Sequence, residues 1–134
     1  MGHMMNGKWV DDDRISADLR GAFVRADSQF RSWVTPDGSA GASGSGGFKA
    51  EPGRYHLFVS DNCPWAHRSI IFRKLKQLEG VVSMSLADKP KTAGWAYSEP
   101  IDDFQPEDDG VFRLHQIYAA ADTTYTGKVT VPTL

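Results

Sequence analysis

The segment that most constrains the fold is a short apolar stretch that leads directly into a cysteine and a proline. Residues 55–59 read Tyr-His-Leu-Phe-Val and are flanked by Pro52-Gly53 and by polar residues, which is the pattern of a β-strand. Cys63 and Pro64 follow, and proline suits the first turn of a helix because its missing N–H would have no partner there. The sequence therefore predicts a cysteine at a strand-to-helix turn.

A helix and a second strand are predicted after this turn. The apolar residues of the helix share one face, and they are Ile70, Ile71, Leu75 and Leu78. Gly80 is expected to end the helix, because glycine is common just after a helix C-terminus. Residues 81–86 have the composition of a strand. Strand, helix and strand in succession predict a parallel β-α-β unit.

The rest of the C-terminal half is predicted as a loop, a helix and the opening of a strand. Residues 87–111 contain prolines and an acidic run and are expected to form a loop. A short helix begins at Leu114 and ends before Asp122, and residues 129–134 have the composition of a third strand. Because the sequence stops on an apolar run with no polar tail, we expect it to be part of a longer chain.

The N-terminal region is expected to contribute an arm rather than a core. Residues 1–5 read as a cloning remnant and a start site, and we expect them to lie outside the fold. Residues 6–47 are expected to form an extended arm and then a flexible Gly/Ser-rich loop over residues 36–47. The rings expected to pin the arm to a neighbouring surface are Trp9, Phe23, Phe30 and Trp33. Residues 48–134 then form the α/β domain.

Composition excludes several classes of protein. The chain has 134 residues, 40% hydrophobic and 24% charged, which is typical of one globular domain. Its net charge of −2 and the lack of a basic stripe argue against nucleic-acid binding. No apolar run approaches the roughly 18 residues that cross a membrane. The single cysteine excludes an intrachain disulfide and favours a reducing, cytoplasmic setting.

Cys63 is the candidate nucleophile. At a helix N-terminus a thiol meets unpaired N–H groups and the positive end of the helix dipole, which favour the reactive thiolate. The alternative is an idle, buried cysteine, but the position at the turn favours reactivity. Ala66 stands where a dithiol oxidoreductase has its second cysteine, so an external thiol must resolve any disulfide formed at Cys63. Glutathione is the obvious candidate, as a cosubstrate rather than a permanently bound cofactor.

Val131 and Pro132 are the second element of the candidate site. A proline that opens a strand in such a fold is a candidate cis-proline, and it would bring the Val131 main chain beside Cys63. Free of ladder pairing, that main chain would pair with the peptide-like backbone of glutathione, as an added strand does. The alternative is an ordinary proline at a strand edge.

Two further residues have both a functional and a structural interpretation. His67 lies one helical turn after Cys63 and is either a proton relay or, more commonly, a packed or solvated histidine. Trp95 follows Gly94 in a polar loop, where a ligand-facing role competes with that of a core aromatic. No metal site is predicted, because the acidic run at residues 102–109 lacks calcium-loop spacing and the four histidines lack zinc spacing.

Together these residues resemble the glutathionyl-hydroquinone reductases, also called Xi-class glutathione transferases and related to the omega class. The resemblance rests first on Cys-Pro-Trp-Ala-His-Arg at residues 63–68, preceded by Gly-Gly-Phe-Lys-Ala-Glu at residues 46–51 and by the strand at residues 54–60. The other matching segments are residues 30–33, 94–95 and 125–132.

The resemblance implies an α/β, thioredoxin-like N-terminal domain that is cut before an all-helical C-terminal domain, and a homodimer at full length. It implies glutathione-dependent reduction of glutathionyl-hydroquinones through a mixed disulfide at Cys63. Trp95 would line the glutathione site, and Val131 would hold the glutathione backbone next to a cis Pro132. Lys128 stands where the family usually has arginine, so the charge is kept but a bidentate contact is lost.

Two other functions remain open at this point. The first is an omega-like glutathione thiol transferase or dehydroascorbate reductase that uses the same Cys63. The second is a glutathione-binding module without catalysis. Because all three share the thiol, its position alone does not separate them.

Overall fold

Two parallel strands and the helix that joins them form the centre of the structure. The computed structural model describes residues 2–12, 20–22, 24, 27–88 and 93–134. Its elements are β1 (His3–Met5), β2 (Lys8–Val10), β3 (Trp33–Thr35), a 3-10 helix (Gly41–Ser43), β4 (Gly47–Lys49), β5 (Tyr55–Val59), α1 (Pro64–Leu75), β6 (Val82–Leu86), β7 (Ala96–Tyr97), β8 (Phe112–Arg113) and α2 (Leu114–Ala121). None of the described helices is both long enough and apolar enough to cross a membrane.

The predicted β-α-β unit is confirmed. β5 occupies the predicted residues and pairs in parallel with β6, in a register that places Leu57 opposite Met84. β6 begins at Val82, one residue later than predicted. α1 begins at Pro64, where the fixed φ of proline suits the first helical turn. The unit therefore places Cys63 just beyond the carboxyl end of β5.

α1 ends earlier than the sequence predicts. Its last residue is Leu75, and Gln77 adopts a φ of +55°, the left-handed conformation that commonly closes a helix. The Leu78 N–H donates to the Arg73 carbonyl at 2.9 Å. The Arg73 guanidinium also donates to the carbonyl of the first residue of β6, at 2.7 Å. The expectation that Gly80 ends the helix is therefore wrong, because Gln77 and Arg73 close it first.

Only part of the apolar face predicted for α1 contacts the core. Ala66 is fully buried and Ile70 packs against the core cluster. Farther along the helix, Ile71 is 52% exposed and Leu75 is 70% exposed. The first half of α1, which adjoins Cys63, is thus the part that packs.

A cluster of aromatic rings packs beside the sheet. Phe58 of β5 meets Tyr97 of β7 and Phe112 of β8 edge-on, with ring centroids 5.2 and 6.3 Å apart. β7 and β8 pair antiparallel. The prediction of a loop over residues 87–111 is therefore wrong at β7. Its two residues are buried by ring packing, and a strand of two residues is too short to show an alternating pattern in the sequence. The predicted short helix is confirmed as α2, which ends before Asp122.

The N-terminal residues belong to the fold. β1 and β2 pair antiparallel and form the N-terminal hairpin, residues 2–10. Met4 is 0% exposed, and its main chain exchanges two hydrogen bonds with Gly127, of 2.8 and 3.0 Å. Asn6 and Gly7 form the turn and have φ values of +48° and +73°, because a two-residue type I′ turn requires a positive φ at both positions. The expectation that the first five residues lie outside the fold is wrong for those that the structure describes.

The arm forms a small parallel strand pair of its own. β3 and β4 pair in parallel, and the 3-10 helix lies between them in the chain. The segment 36–47, predicted as a flexible loop, contains this 3-10 helix and the residue at which β4 begins. Phe23, one of the rings expected to anchor the arm, lies outside the described residues.

The burial of Met4 leads to a first prediction. We expect Met4→Ala to lower the free energy of unfolding by about 2–5 kcal/mol, because it removes a buried side chain and leaves a cavity. Met5 is the matched control, since it lies in the same strand and is 51% exposed. Met5→Ala should cost less than about 0.5 kcal/mol. Urea unfolding of the full-length protein measures both values, and equal losses would contradict the role assigned to Met4.

His56 of β5 is a half-buried titratable group held by two hydroxyls. Its Nδ1 lies 2.8 Å from Ser83 Oγ, and its Nε2 lies 2.9 Å from Ser85 Oγ. Burial lowers the pKa of His56 below its ordinary value, Asp102 opposes this shift, and Arg73 adds to it. The folded protein therefore favours a neutral imidazole at this position.

We expect the free energy of unfolding to fall as the pH drops from about 7.5 to about 5. Unfolded His56 takes up its proton near pH 6.5, whereas the folded state resists it. The contribution of His56 is thus present above the unfolded pKa and is lost as the pH falls through the folded pKa. His56→Gln should flatten the slope measured by urea unfolding at several pH values. His67→Gln, on an exposed side chain, is the control, and an unchanged slope in His56→Gln would contradict the prediction.

Candidate functional site

Cys63 is the residue from which α1 begins. Its main chain is extended, with φ −103° and ψ 111°, and its carbonyl accepts the first helical hydrogen bond from the His67 N–H at 3.1 Å. Because Pro64 occupies the first helical position, the free N–H groups of this helix end begin one residue later. The side chain is a free thiol of intermediate exposure. It is therefore positioned by the backbone of the turn and remains reachable from solvent.

The turn between β5 and α1 places Cys63 at the N-terminal end of a helix. The first turn of α1 contains no acidic residue, and the positive end of a helix dipole stabilises an anion placed there. The turn itself is shaped by a 2.7 Å hydrogen bond from Ser60 Oγ to Asn62 Oδ1 and by a 3.3 Å bond from the Cys63 N–H to the Ser60 carbonyl. These two hydrogen bonds fix the main chain that carries the thiol.

The structure brings Val131 and Cys63 together. Cys63 Sγ lies 3.4 Å from the Val131 carbonyl oxygen, within the range of a thiol–carbonyl hydrogen bond. The peptide bond between Val131 and Pro132 is cis. The thiol and a stretch of main chain thus line one small region, although they are far apart in the sequence.

The segment that carries Val131 is fixed to β5 and to α2. Phe58 and Thr133 exchange two backbone hydrogen bonds, of 2.8 and 3.0 Å, in an antiparallel bridge. The Tyr118 hydroxyl of α2 lies 3.3 Å from the Thr130 carbonyl and 3.1 Å from Thr133 Oγ1. Tyr118 is thus a supporting residue that the sequence did not identify. A short helical pattern does not show which groups a tyrosine hydroxyl will contact.

Trp95 lies at the same edge of the sheet as Cys63. The Asp88 N–H, just after β6, donates to the Ala96 carbonyl at 2.9 Å, and the Trp95 carbonyl accepts from the Leu114 N–H at 3.0 Å. The indole ring is half-buried against the core, and its N–H is buried without a hydrogen-bond partner among the described residues. Among the residues that the structure describes, no hydrogen bond joins Trp95 to Cys63.

The other candidates lie closer to solvent. Lys128 is exposed, and its carbonyl accepts a 2.8 Å hydrogen bond from the Tyr125 hydroxyl. His67 is also exposed on α1. The Arg68 guanidinium lies 4.5 Å from the centroid of the Trp65 ring, an indole that is 57% exposed. The structure therefore groups Cys63 with Val131 and leaves His67 without an assigned role.

The acidic run has a structural use. Arg113 pairs with Glu107, with 3.3 Å between Nη1 and Oε2, and with Asp109. Within the residues that the structure describes, no group of three histidine, cysteine, aspartate or glutamate side chains is placed to hold a metal ion. The run therefore serves to anchor Arg113 at the start of α2.

Curated relatives match the whole chain. It is 44% identical over 140 residues to glutathionyl-hydroquinone reductase YqjG of Escherichia coli (strain K12) and 41% identical over 136 residues to glutathionyl-hydroquinone reductase PcpF of Sphingobium chlorophenolicum. The chain spans 42% and 40% of the length of these relatives. Glutathione S-transferase omega-like 2 of Schizosaccharomyces pombe is 36% identical over 85% of the chain, which covers 34% of that relative. No model of a known family matches.

Solved structures of glutathione transferases also superpose on this chain. The glutathione-bound structure of YqjG from Escherichia coli K-12 superposes with a TM-score of 0.69 at 39% identity, over 98% of this chain and 37% of that one. A Xi-class glutathione transferase from Natrialba magadii superposes with a TM-score of 0.70 at 35% identity, over the same shares. The fold is therefore thioredoxin-like, as in the glutathione transferases.

The support that Tyr118 provides leads to a prediction on local stability. Tyr118→Phe removes the hydroxyl that holds Thr130 and Thr133, so we expect the Thr133 amide to exchange faster with deuterium and the protein to lose about 1 kcal/mol of stability. Tyr55→Phe is the control, because that hydroxyl bonds to the Lys49 carbonyl instead. Equal exchange rates of the Thr133 amide in the native protein and in Tyr118→Phe would contradict the claim that the Tyr118 hydroxyl holds this segment.

Proposed function

Because this chain is homologous over its whole length to part of the glutathionyl-hydroquinone reductases, the Xi class of glutathione transferases, we propose that the protein reduces glutathionyl-hydroquinones with glutathione. The supporting observation is the free thiol of Cys63 at the start of α1, 3.4 Å from the Val131 carbonyl. A nucleophilic sulfur and a main-chain segment able to pair with a peptide are then side by side. These are the two features that a glutathione-linked thiol reaction requires.

In the first half-reaction the Cys63 thiolate attacks the sulfur of the glutathionyl-hydroquinone. A sulfur–sulfur bond forms between Cys63 and glutathione, and the bond between that sulfur and the ring carbon breaks. The electron pair stays with the ring carbon, which takes up a proton, so hydroquinone leaves. The two sulfurs are oxidised to a mixed disulfide and the ring carbon is reduced.

In the second half-reaction a free glutathione thiolate attacks the glutathione sulfur of the mixed disulfide. Glutathione disulfide leaves and the Cys63 thiolate is restored. An external thiol is expected because Ala66 stands where a dithiol oxidoreductase has its resolving cysteine. The balance is one glutathionyl-hydroquinone and one glutathione consumed, with one hydroquinone and one glutathione disulfide formed.

Binding of glutathione is assigned to four residues. The Val131 main chain, next to the cis Pro132, would pair with the glutathione backbone as an added strand does. Trp95 would line the site through its half-buried ring. Lys128 would supply positive charge near a glutathione carboxylate, through one ammonium rather than the fork of an arginine. Glutathione is thus proposed as a cosubstrate rather than as a permanently bound cofactor.

We also propose a homodimer that acts in the cytoplasm. The reaction needs reduced glutathione, and the cytoplasm maintains it. The free thiol of Cys63 is in keeping with that compartment, because thiols stay reduced there.

A second candidate is an omega-like thiol transferase or dehydroascorbate reductase. It is favoured by the similarity to the omega-like protein of Schizosaccharomyces pombe. It uses the same Cys63 and the same mixed disulfide, so the two functions differ only in the electrophile. A third candidate, a glutathione-binding module, would bind glutathione without turnover.

Steady-state kinetics of the full-length protein separate these functions. We expect the native protein to prefer a glutathionyl-hydroquinone over dehydroascorbate and a simple mixed disulfide, and Cys63→Ser to lose turnover of every substrate because it removes the nucleophile. His67→Asn is the matched control on the same helix, and it should lose less than the roughly 100-fold expected for a general acid or base.

Three outcomes would overturn this proposal. Retained hydroquinone release in Cys63→Ser would exclude the mixed disulfide at that residue. A preference for dehydroascorbate would favour the omega-like function. Binding of glutathione without turnover of any of these substrates would favour the binding module.

A further inference from the structure

We propose that the N-terminal hairpin is a positioning element that holds both main-chain sides of the glutathione site. The inference rests on the proposed function, because it takes the Trp95 loop and the Lys128–Val131 segment as the two glutathione-binding stretches. Contacts to each stretch run from the same hairpin. The hairpin itself contains none of the residues assigned to catalysis or binding.

The turn of the hairpin is joined to the chain just before Lys128. The Met4 and Gly127 main chains exchange two hydrogen bonds, and the Gly7 N–H donates to the Tyr125 carbonyl at 2.9 Å. The Asn6 N–H donates to Thr126 Oγ1 at 2.9 Å. Every residue from 125 to 127 is thus hydrogen-bonded to the hairpin.

The arm adds a second contact to the same segment. The Phe30 ring stacks on Tyr125, with centroids 5.2 Å apart and planes 12° apart, and meets Tyr118 edge-on at 5.2 Å. Gln29 Nε2 donates to the Thr126 carbonyl at 2.6 Å. The Tyr125 hydroxyl in turn bonds to the Lys128 carbonyl. The segment that leads to Val131 is therefore held both by hydrogen bonds to the hairpin and by ring packing.

Trp9, in the second strand of the hairpin, supports the other stretch. Its ring stacks on His115 of α2, with centroids 4.8 Å apart and planes 18° apart. Gly94 has a φ of +93°, and a Cβ placed there would lie only 3.0 Å from the Trp9 ring. The residue before Trp95 therefore lies directly against the Trp9 ring, and a side chain at residue 94 would push the two apart.

A positioning element has a specific kinetic consequence. Cys63 is placed by β5 and α1, so loss of a hairpin contact should weaken glutathione binding more than it slows the chemistry of the thiol. A change that removes binding common to the ground state and the transition state raises KM without an equal fall in kcat. A merely structural role would lower the melting temperature and leave KM for glutathione unchanged.

The test compares four variants of the full-length protein. Trp9→Ala removes the stacked ring, Trp9→Phe keeps a flat ring, Thr126→Val removes the hydroxyl that bonds to Asn6, and Met5→Ala changes an exposed residue of the same hairpin. We expect Trp9→Ala to raise KM for glutathione about tenfold, since small displacements of a binding group have effects of this size or larger. Trp9→Phe should recover most of that loss, and Met5→Ala should match the native protein.

Two measurements accompany the kinetics. The rate of Cys63 alkylation by iodoacetamide, which needs no glutathione site, should stay within about twofold of native in Trp9→Ala. Hydrogen–deuterium exchange should speed up at residues 93–97 in Trp9→Ala and at residues 125–131 in Thr126→Val, and at neither in Met5→Ala. The Thr126→Val arm keeps the test valid if Trp9→Ala does not fold.

The outcomes distinguish this inference from the proposed function. Unchanged exchange in both segments would overturn the positioning role whether or not the protein is a reductase. Faster exchange with an unchanged KM for glutathione would also overturn it, leaving the hairpin a structural element. A native protein that shows no glutathione-dependent turnover would overturn the proposed function, while the exchange data would still decide whether the hairpin supports the two segments.

Discussion

The proposed site depends on the approach of Cys63 Sγ to the Val131 carbonyl, at 3.4 Å. Cys63 lies at the start of α1, after β5, and Val131 follows α2 much later in the sequence. The antiparallel bridge between Phe58 and Thr133 joins the two sides, because Phe58 lies in the same strand that leads to the cysteine. The Cys63 thiol and the main chain of Val131 are thereby held together by the sheet itself.

Much of the centre of the fold was predictable from the sequence, and the reasons are local. Tyr55–Val59 is a run of aromatic and β-branched residues between turn residues, and Pro64 marks a helix start by its own covalent geometry. The end of α1 was not predictable, because it depends on a left-handed Gln77 and on a hydrogen bond from the Arg73 side chain to the Val82 carbonyl. Glycine was the expected terminator, but Gln77 adopts the left-handed conformation and Gly80 does not.

The N-terminal hairpin was missed for a different reason. Its strands have three residues each, too short for a period to be visible, and they pair with a segment near the other end of the chain. The burial of Met4 therefore comes from a long-range partner, not from its neighbours. At the site, Cys63, Val131 and Pro132 could be singled out from a strand, a turn and a proline. Tyr118 and the Trp9–His115 stack could not, because ring and hydroxyl contacts depend on tertiary placement.

The proposed monothiol reaction makes the strictest demand on this arrangement, because the Cys63 sulfur must first attack the substrate and later leave the mixed disulfide as a thiolate. A single-turnover experiment tests it most directly: the full-length protein is mixed with an equal amount of a glutathionyl-hydroquinone, without free glutathione, and its intact mass is measured. We predict one glutathionyl group on Cys63 and one equivalent of hydroquinone released. An unmodified protein with intact substrate, or hydroquinone released without the adduct, would contradict the mixed disulfide.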